Sequence, residues 1–212
     1  MRRAVLISLG VLLVAASQAG AADCKQEVVD AFEKQRKSAA FRVHMAQPTA
    51  EGPIDVTVDY QPPSKMLQTV AGGNMPGEQQ TLLDGDRAYS GNNGAWEELL
   101  PQYTQSIVAE FRAAVGQSPQ NLGDFECLGK TPFEGKEYLA YRTKLSAEQI
   151  KTADKAGAVT RTLYVDPASG LPAFNVVATL KGDAPPVMKA DYSYPSDLVI
   201  EAPKNATVQK VR

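Results

Sequence analysis

The chain has 212 residues, of which 22 are basic and 24 acidic, with one histidine, two cysteines and one tryptophan. A formal net charge of −2 provides no basic surface for nucleic acid, so we expect no nucleic-acid partner. The two cysteines and one histidine are too few soft ligands for a Cys/His zinc site, and we expect neither a metal nor a cofactor. A hydrophobic fraction of 43% is typical of a folded globular protein.

The first 21 residues have the pattern of a secretory signal peptide. Two arginines follow the initiating methionine, residues 4–16 are apolar, and residues 19–21 are small, as a cleavage site requires. A membrane anchor is the alternative, but the apolar run is short for a membrane span. Asp23 precedes Cys24 at the position where lipid attachment needs a small residue. We therefore predict cleavage of residues 1–21 and export of the remainder.

The two cysteines are predicted to form a structural disulfide. In an oxidising compartment an isolated pair of cysteines usually becomes bonded. The alternative is a redox-active pair, but such thiols are usually close in sequence, as in C-x-x-C. Cys24 and Cys127 are far apart, so we expect a Cys24–Cys127 bond that links the first helix to a strand.

Hydrophobic spacing predicts the elements in chain order. Apolar residues at helical intervals indicate a helix over 23–38, and strict alternation over 54–61 indicates a strand with one buried face. Asp84-Gly85-Asp86 is typical of a tight turn between two strands. Other strands are predicted over 41–46, 65–71, 78–83, 87–90, 125–131, 137–145, 159–165, 171–180 and 188–194.

The remaining segments are predicted as two helices and a tail. A helix over 101–115 carries a continuous apolar stripe, so it must cover another surface. A second helix, over 146–156, has one strongly apolar residue, Ile150, and is expected at the surface. The segment 198–202 is predicted as an edge strand, and the chain beyond Lys204 is expected to be loose.

These elements predict an α+β fold. About nine or ten antiparallel strands each present one apolar face, and they are accompanied by two or three helices. We expect one strongly curved antiparallel sheet, an unclosed β-barrel, with helices that plug its concave face.

Titratable residues offer no pattern of catalysis. His44 lies on the polar side of its predicted strand and is expected to be exposed and non-catalytic, and G-x-S-x-G is absent from the sequence. The acidic turn supplies too few oxygen ligands for calcium. The other acidic candidates, expected to be ordinary surface positions, are Asp55, Asp59, Glu126, Glu134 and Glu137. We expect no catalytic residues and no enzymatic activity.

Apolar side chains on the predicted inner surface are the better candidates for a site. They either fill an ordinary core or leave part of the sheet open as a ligand cavity, and the pattern alone supports both interpretations. The predicted cavity residues are Phe41, Val43, Met45, Val56, Val58, Tyr60, Trp96, Ile107, Val108, Phe111, Leu163 and Phe174. We expect the helix over 101–115 to act as a lid on this cavity.

Several segments resemble the LolA/LolB-like family of periplasmic lipoprotein-sorting and lipid-carrier proteins. The resemblance is carried by Ala39-Ala40-Phe41-Arg42-Val43, Tyr60-Gln61-Pro62-Pro63-Ser64-Lys65, Leu83-Asp84-Gly85-Asp86-Arg87-Ala88-Tyr89, Gly94-Ala95-Trp96 and Leu163-Tyr164-Val165-Asp166-Pro167-Ala168-Ser169-Gly170-Leu171-Pro172. It implies that residues 22–212 form one lipid-binding domain. It also implies a periplasmic, monomeric protein whose partner is a lipid or the acyl chain of a lipoprotein.

The chain also departs from the family. The basic residue by which such carriers control release has no clear match after Pro63, and the helix over 146–156 has the character of an insertion. We therefore expect a non-enzymatic periplasmic carrier with a hydrophobic cavity. The alternative is an envelope sensor or scaffold that recognises a protein partner at the sheet edge.

Overall fold

The computed structural model describes residues 21–115, 122–156, 158–180 and 185–209. The predicted signal peptide falls almost entirely on residues 1–20, which lie outside the described residues. The helices are α1 (Ala21–Arg36), α2 (Pro101–Val115) and α3 (Ala147–Ala156). The strands are β1 (Phe41–Gln47), β2 (Ile54–Gln61), β3 (Lys65–Gly72), β4 (Gln79–Asp84), β5 (Arg87–Asn92), β6 (Ala95–Glu98), β7 (Phe125–Phe133), β8 (Lys136–Thr143), β9 (Val159–Val165), β10 (Pro172–Thr179), β11 (Met188–Ser193) and β12 (Thr207–Val208).

All of these strands belong to one unclosed sheet. Its strand order is β12-β6-β5-β4-β3-β2-β1-β11-β10-β9-β8-β7. Every neighbouring pair is antiparallel except β12 and β6, which are parallel. Two meanders, β1–β6 and β7–β11, meet where β1 pairs with β11. The predicted α+β fold with a large antiparallel sheet is confirmed.

Both long helices lie on the same face of the sheet, which we call the inner face. Helix α1 packs on β7–β9 through Val28 and Ala31, which contact Leu163 and its neighbours. Helix α2 packs on β2–β5 through Phe111, which joins a buried cluster with Val58. The predicted disulfide is confirmed, since Cys24 of α1 bonds Cys127 of β7 with an S–S distance of 2.01 Å.

The C-terminal segment covers the opposite face, which we call the outer face. Ile200 is buried against Leu82 and Tyr89. The prediction of an edge strand at 198–202 is therefore wrong, because these residues pack on a face of the sheet without joining its ladder. The edge strand is β12 instead, so the chain beyond Lys204 is ordered through residue 209.

Two local predictions, the tight turn at 84–86 and the helix over 146–156, are confirmed. Gly85 and Asp86 form the two-residue turn of the β4–β5 hairpin, and Gly85 adopts a φ of 67° that favours glycine. At the start of α3, Ser146 and Gln149 exchange side-chain-to-backbone hydrogen bonds of 2.8 and 3.1 Å. Ile150 of this helix is exposed, as expected.

Candidate ligand-binding site on the inner face

The inner face has an incompletely covered strip between the two packed helices. One row of opposed residues runs across five strands, from Leu163 beneath α1, through Asn175, Ala190 and Met45, to the partly buried Val56 at the border of the cluster under α2. We call the apolar residues near the middle of this face the central strip. They are Val43, Met45, Val56, Val177 and Met188, and each is only partly buried.

The central strip is unusual for its place in the sheet. Strand β1 has five or more strands on each side, so side chains on its covered face would ordinarily be fully buried. Val43 and Met45 are instead half-buried, and neither belongs to the packed cluster under α1 or to that under α2. The centre of the inner face therefore presents apolar surface that the described parts of the chain leave partly open.

The predicted residues at the α2 end form a filled core. Phe41 stacks on Tyr60 with ring centroids 4.6 Å apart, and Tyr60 lies 6.2 Å from Phe111. Burial, together with the nearby charge of Glu110, raises the pKa of Tyr60 to about 12. Phe111 is 3% exposed. This packing favours a core role for Phe111 instead of the lid role that we expected.

Two predicted residues lie on the outer face. Trp96 pairs with Gly91 and packs in the cluster of Leu82, Tyr89 and Ile200. Gly91 leaves room for the indole, since a Cβ there would lie 2.8 Å from the Trp96 ring. The structure thus separates Trp96 from the central strip, which corrects its expected place in the cavity.

Phe174 is also on the outer face. It packs edge-on to Phe133 and Tyr138, and the ammonium of Lys189 lies 5.4 Å from its ring centroid. Its expected place in the cavity is corrected because β10 carries large side chains on both faces. The residue of β10 that faces inward beside Leu163 is Asn175.

Two polar groups next to the central strip were not among the predicted site residues. Asn175 is 9% exposed, and its Oδ1 atom has no hydrogen-bond partner within the described part of the chain. Tyr192 stands opposite Val43 on the neighbouring strand. Burial raises the pKa of Tyr192, while the side-chain amide of Asn175 and the charge of Arg161 act against that rise. The signal for Asn175 in the sequence was its position as an asparagine inside the apolar run 174–178.

A separate cavity lies on the far side of α2, between that helix and β5, β6 and β12. Its volume is about 630 Å³, and Leu99, Leu100 and Val108 form apolar parts of its wall. Its polar wall contains the Arg87–Glu98 ion pair, with N–O distances of 2.8 and 2.5 Å. Of the predicted cavity residues, this space includes Val108 alone.

The candidate titratable residues lie on the outer face or at the surface, and most of them form ion pairs. His44 lies between Asp55 and Asp191, at 3.4 and 3.7 Å. Asp59 is buried and binds Arg42 at 2.6 and 2.9 Å, so its expected surface position is corrected. Two of the candidate glutamates pair with bases, Glu126 with Arg142 and Glu134 with Lys189.

The described residues contain neither a group of metal ligands nor a helix that could span a membrane. Within them, no three histidine, cysteine or carboxylate side chains come close enough to hold a metal ion. In the same ranges, no helix has the combination of length and apolarity needed to cross a bilayer.

Several solved structures are similar to this chain over most of its length. LprF from Mycobacterium bovis aligns over 86% of this chain and 97% of its own, with a TM-score of 0.54 and 13% identity. A conserved protein from Thermus thermophilus aligns over 87% and 98%, with a TM-score of 0.50 and 13% identity. The Mycobacterium tuberculosis lipoprotein LppX aligns over 84% of this chain and 97% of its own, with a TM-score of 0.49 and 12% identity.

The chain has the LolA-like fold, an unclosed barrel with few helices. At this level of identity the likeness concerns the fold alone. No protein-family model matches the sequence, and no curated protein matches it either.

Proposed function

We propose that this protein is a non-enzymatic extracytoplasmic carrier that binds a lipid or an acyl chain along the central strip. The observation that carries the proposal is the half-buried state of Val43 and Met45 at the middle of a 12-stranded sheet. Packed helices flank this surface on both sides. An apolar surface held open between rigid walls suits a flexible hydrocarbon ligand.

The energy available from such a ligand is large. Removing about 14 acyl methylenes from water at ~0.8 kcal/mol each provides roughly 11 kcal/mol before the costs of association. No charged group or metal is needed for that driving force. The chemistry of the site is therefore that of transfer between apolar environments, without bond cleavage.

The disulfide supports a location outside the cytoplasm. Bonded cysteines persist in oxidising compartments and are rare in the cytosol, and Cys24 and Cys127 are bonded here. The residues before α1 have the composition of a secretory signal. Together these features support a periplasmic location for the proposed carrier.

The first test is recovery of the natural ligand. We expect lipids to be detected by mass spectrometry after purification from native envelopes, and a fluorescent fatty-acid probe to bind the delipidated protein. Repeated recovery of empty protein that also fails to bind the probe would contradict the carrier function. Co-purification of an envelope protein with such empty protein would favour the sensor or scaffold alternative.

The second test places the ligand on the inner face. Met45 and Ala46 are consecutive residues of β1 whose side chains point to opposite faces. Met45→Glu would put a charge in the central strip and should weaken probe binding at least tenfold. Ala46→Glu puts the same charge on the exposed outer face and should leave binding unchanged. Equal effects of the two variants would remove the site from the inner face.

A further inference from the structure

Asn175 occupies the boundary between the packed part of the inner face and the central strip. Its neighbours across the ladder are Leu163, which is buried beneath α1, and Ala190, which leads to Met45. Asn175 itself is 9% exposed. A polar side chain is thus held among apolar ones beside the surface proposed to bind ligand.

The amide of Asn175 acts on one neighbouring polar group. Together with the charge of Arg161, it lowers the pKa of the Tyr192 hydroxyl against the larger effect of burial. The oxygen, Oδ1, is buried with no partner among the described residues.

A buried acceptor without a donor is costly, and native structures rarely leave one unpaired. Oδ1 can only accept, so its partner must be an O–H or N–H group. The adjoining apolar strip is where a ligand would bring one. A hydrocarbon chain alone cannot satisfy this oxygen, whereas a chain with a hydroxyl, an amide or a protonated carboxyl group can.

We propose that Asn175 is the specificity-determining residue of the inner face and that its Oδ1 accepts a hydrogen bond from the polar group of an acyl ligand. This inference rests on the proposed carrier function and narrows it to one ligand class, acyl compounds with a hydrogen-bond donor. Sites built to pair with a donor discriminate strongly against analogues that lack it, because the buried acceptor is then left unpaired.

The experiment compares two pairs of ligands that differ only in the donor. The first pair is 1-hexadecanol and its methyl ether, and the second is hexadecanamide and its N,N-dimethyl derivative. Each compound displaces the fluorescent fatty-acid probe from the full mature chain. We expect the donor-bearing member of each pair to bind the wild-type protein at least tenfold more tightly.

Two variants assign that preference to Asn175. Asn175→Leu keeps a similar volume without the oxygen and should bind both members of a pair equally. Thr162→Val is the matched control, since it also removes a polar group but lies on the outer face of the adjacent strand. It should retain the full tenfold preference. Circular dichroism and thermal unfolding show whether each variant folds.

The outcomes separate this inference from the function on which it rests. Equal affinity of wild-type protein for both members of each pair overturns the role of Asn175 and leaves the carrier function intact. A preference that persists in Asn175→Leu also overturns it. If that variant does not fold, the wild-type comparison alone decides. Failure of the probe itself to bind would remove the carrier function, and this inference would fall with it.

Discussion

Phe111 lies against Tyr60, with ring centroids 6.2 Å apart, and this contact anchors α2 on the inner face. Phe111→Ala should therefore lower the free energy of unfolding by about 3–5 kcal/mol, as expected for a large side chain removed from a core. Tyr103→Ala is the matched control, because Tyr103 is 53% exposed on the same helix, and it should change stability by at most about 0.5 kcal/mol. Urea unfolding measures both.

The opposite result would restore the lid interpretation of α2. If Phe111→Ala keeps wild-type stability but changes the affinity or exchange rate of the fatty-acid probe, the helix covers a cavity and Phe111 is not a core residue.

The disulfide should provide a large part of the stability. It closes a loop with a sequence separation of 103, for which chain entropy predicts about 4–5 kcal/mol. The double variant Cys24→Ser/Cys127→Ser should unfold at a correspondingly lower urea concentration. Thiol labelling of the denatured, unreduced wild-type protein should detect no free thiol. Equal urea midpoints for the two proteins would show that the bond contributes little.

The C-terminal segment should stabilise the outer face and shield the single tryptophan. Ile200 is 2% exposed beside Tyr89 and Trp96, whereas its neighbour Val199 is 68% exposed. Ile200→Ala should cost about 2–5 kcal/mol and shift the Trp96 emission to the red. Val199→Ala should change neither quantity. An unshifted spectrum for a destabilised Ile200→Ala would mean that the segment stays in place.

The turn after β9 should have an acid-sensitive contribution to stability. The backbone N–H and hydroxyl of Ser169, at 2.7 and 2.9 Å, together with the N–H of Ala168, hold the pKa of Asp166 below its ordinary value. Because the folded-state pKa is depressed, this carboxylate stabilises the fold above the ordinary value of about 3.9. That contribution is lost as the pH falls through the folded-state pKa.

Ser169→Ala removes one of the donors and should raise the pKa of Asp166 towards its ordinary value. An NMR titration of the carboxyl group measures this shift directly. Ser193→Ala, at the end of β11, is the control and should leave the titration unchanged. A pKa of Asp166 that does not move in Ser169→Ala would show that the backbone donors alone set it.

Elements with strong local periodicity could be predicted from the sequence. The alternation over 54–61 and the apolar stripe over 101–115 gave β2 and α2 with the bounds that the structure has. Alternation does not reveal which face of a strand is inward, however. It failed at Trp96 because the C-terminal segment also covers the outer face.

The other differences between the predictions and the structure also arise from tertiary contacts. Leu198, Ile200 and Ala202 alternate like an edge strand, yet they pack on a sheet face. Their partners there, such as Leu82 and Tyr89, come from strands far earlier in the chain. The asparagine in the apolar run 174–178 indicates a polar group in a buried strand, but the sequence does not show that this group lies beside the central strip. Whether an asparagine in an apolar run finds a partner depends on residues brought together only by the fold.

The strand order divides the sheet into two meanders, each formed by a continuous part of the chain. The chain leaves the sheet at β6, next to one edge, and re-enters at β7, the opposite edge. A backbone cut between α2 and β7 would therefore separate two contiguous meanders. They would remain attached by the β1–β11 ladder, by α1 on the second meander and by the Cys24–Cys127 bond. Nicked protein should run as one species on a non-reducing denaturing gel, because the disulfide joins the two fragments. After reduction under native conditions, the two fragments should stay associated through the β1–β11 ladder without a covalent bond.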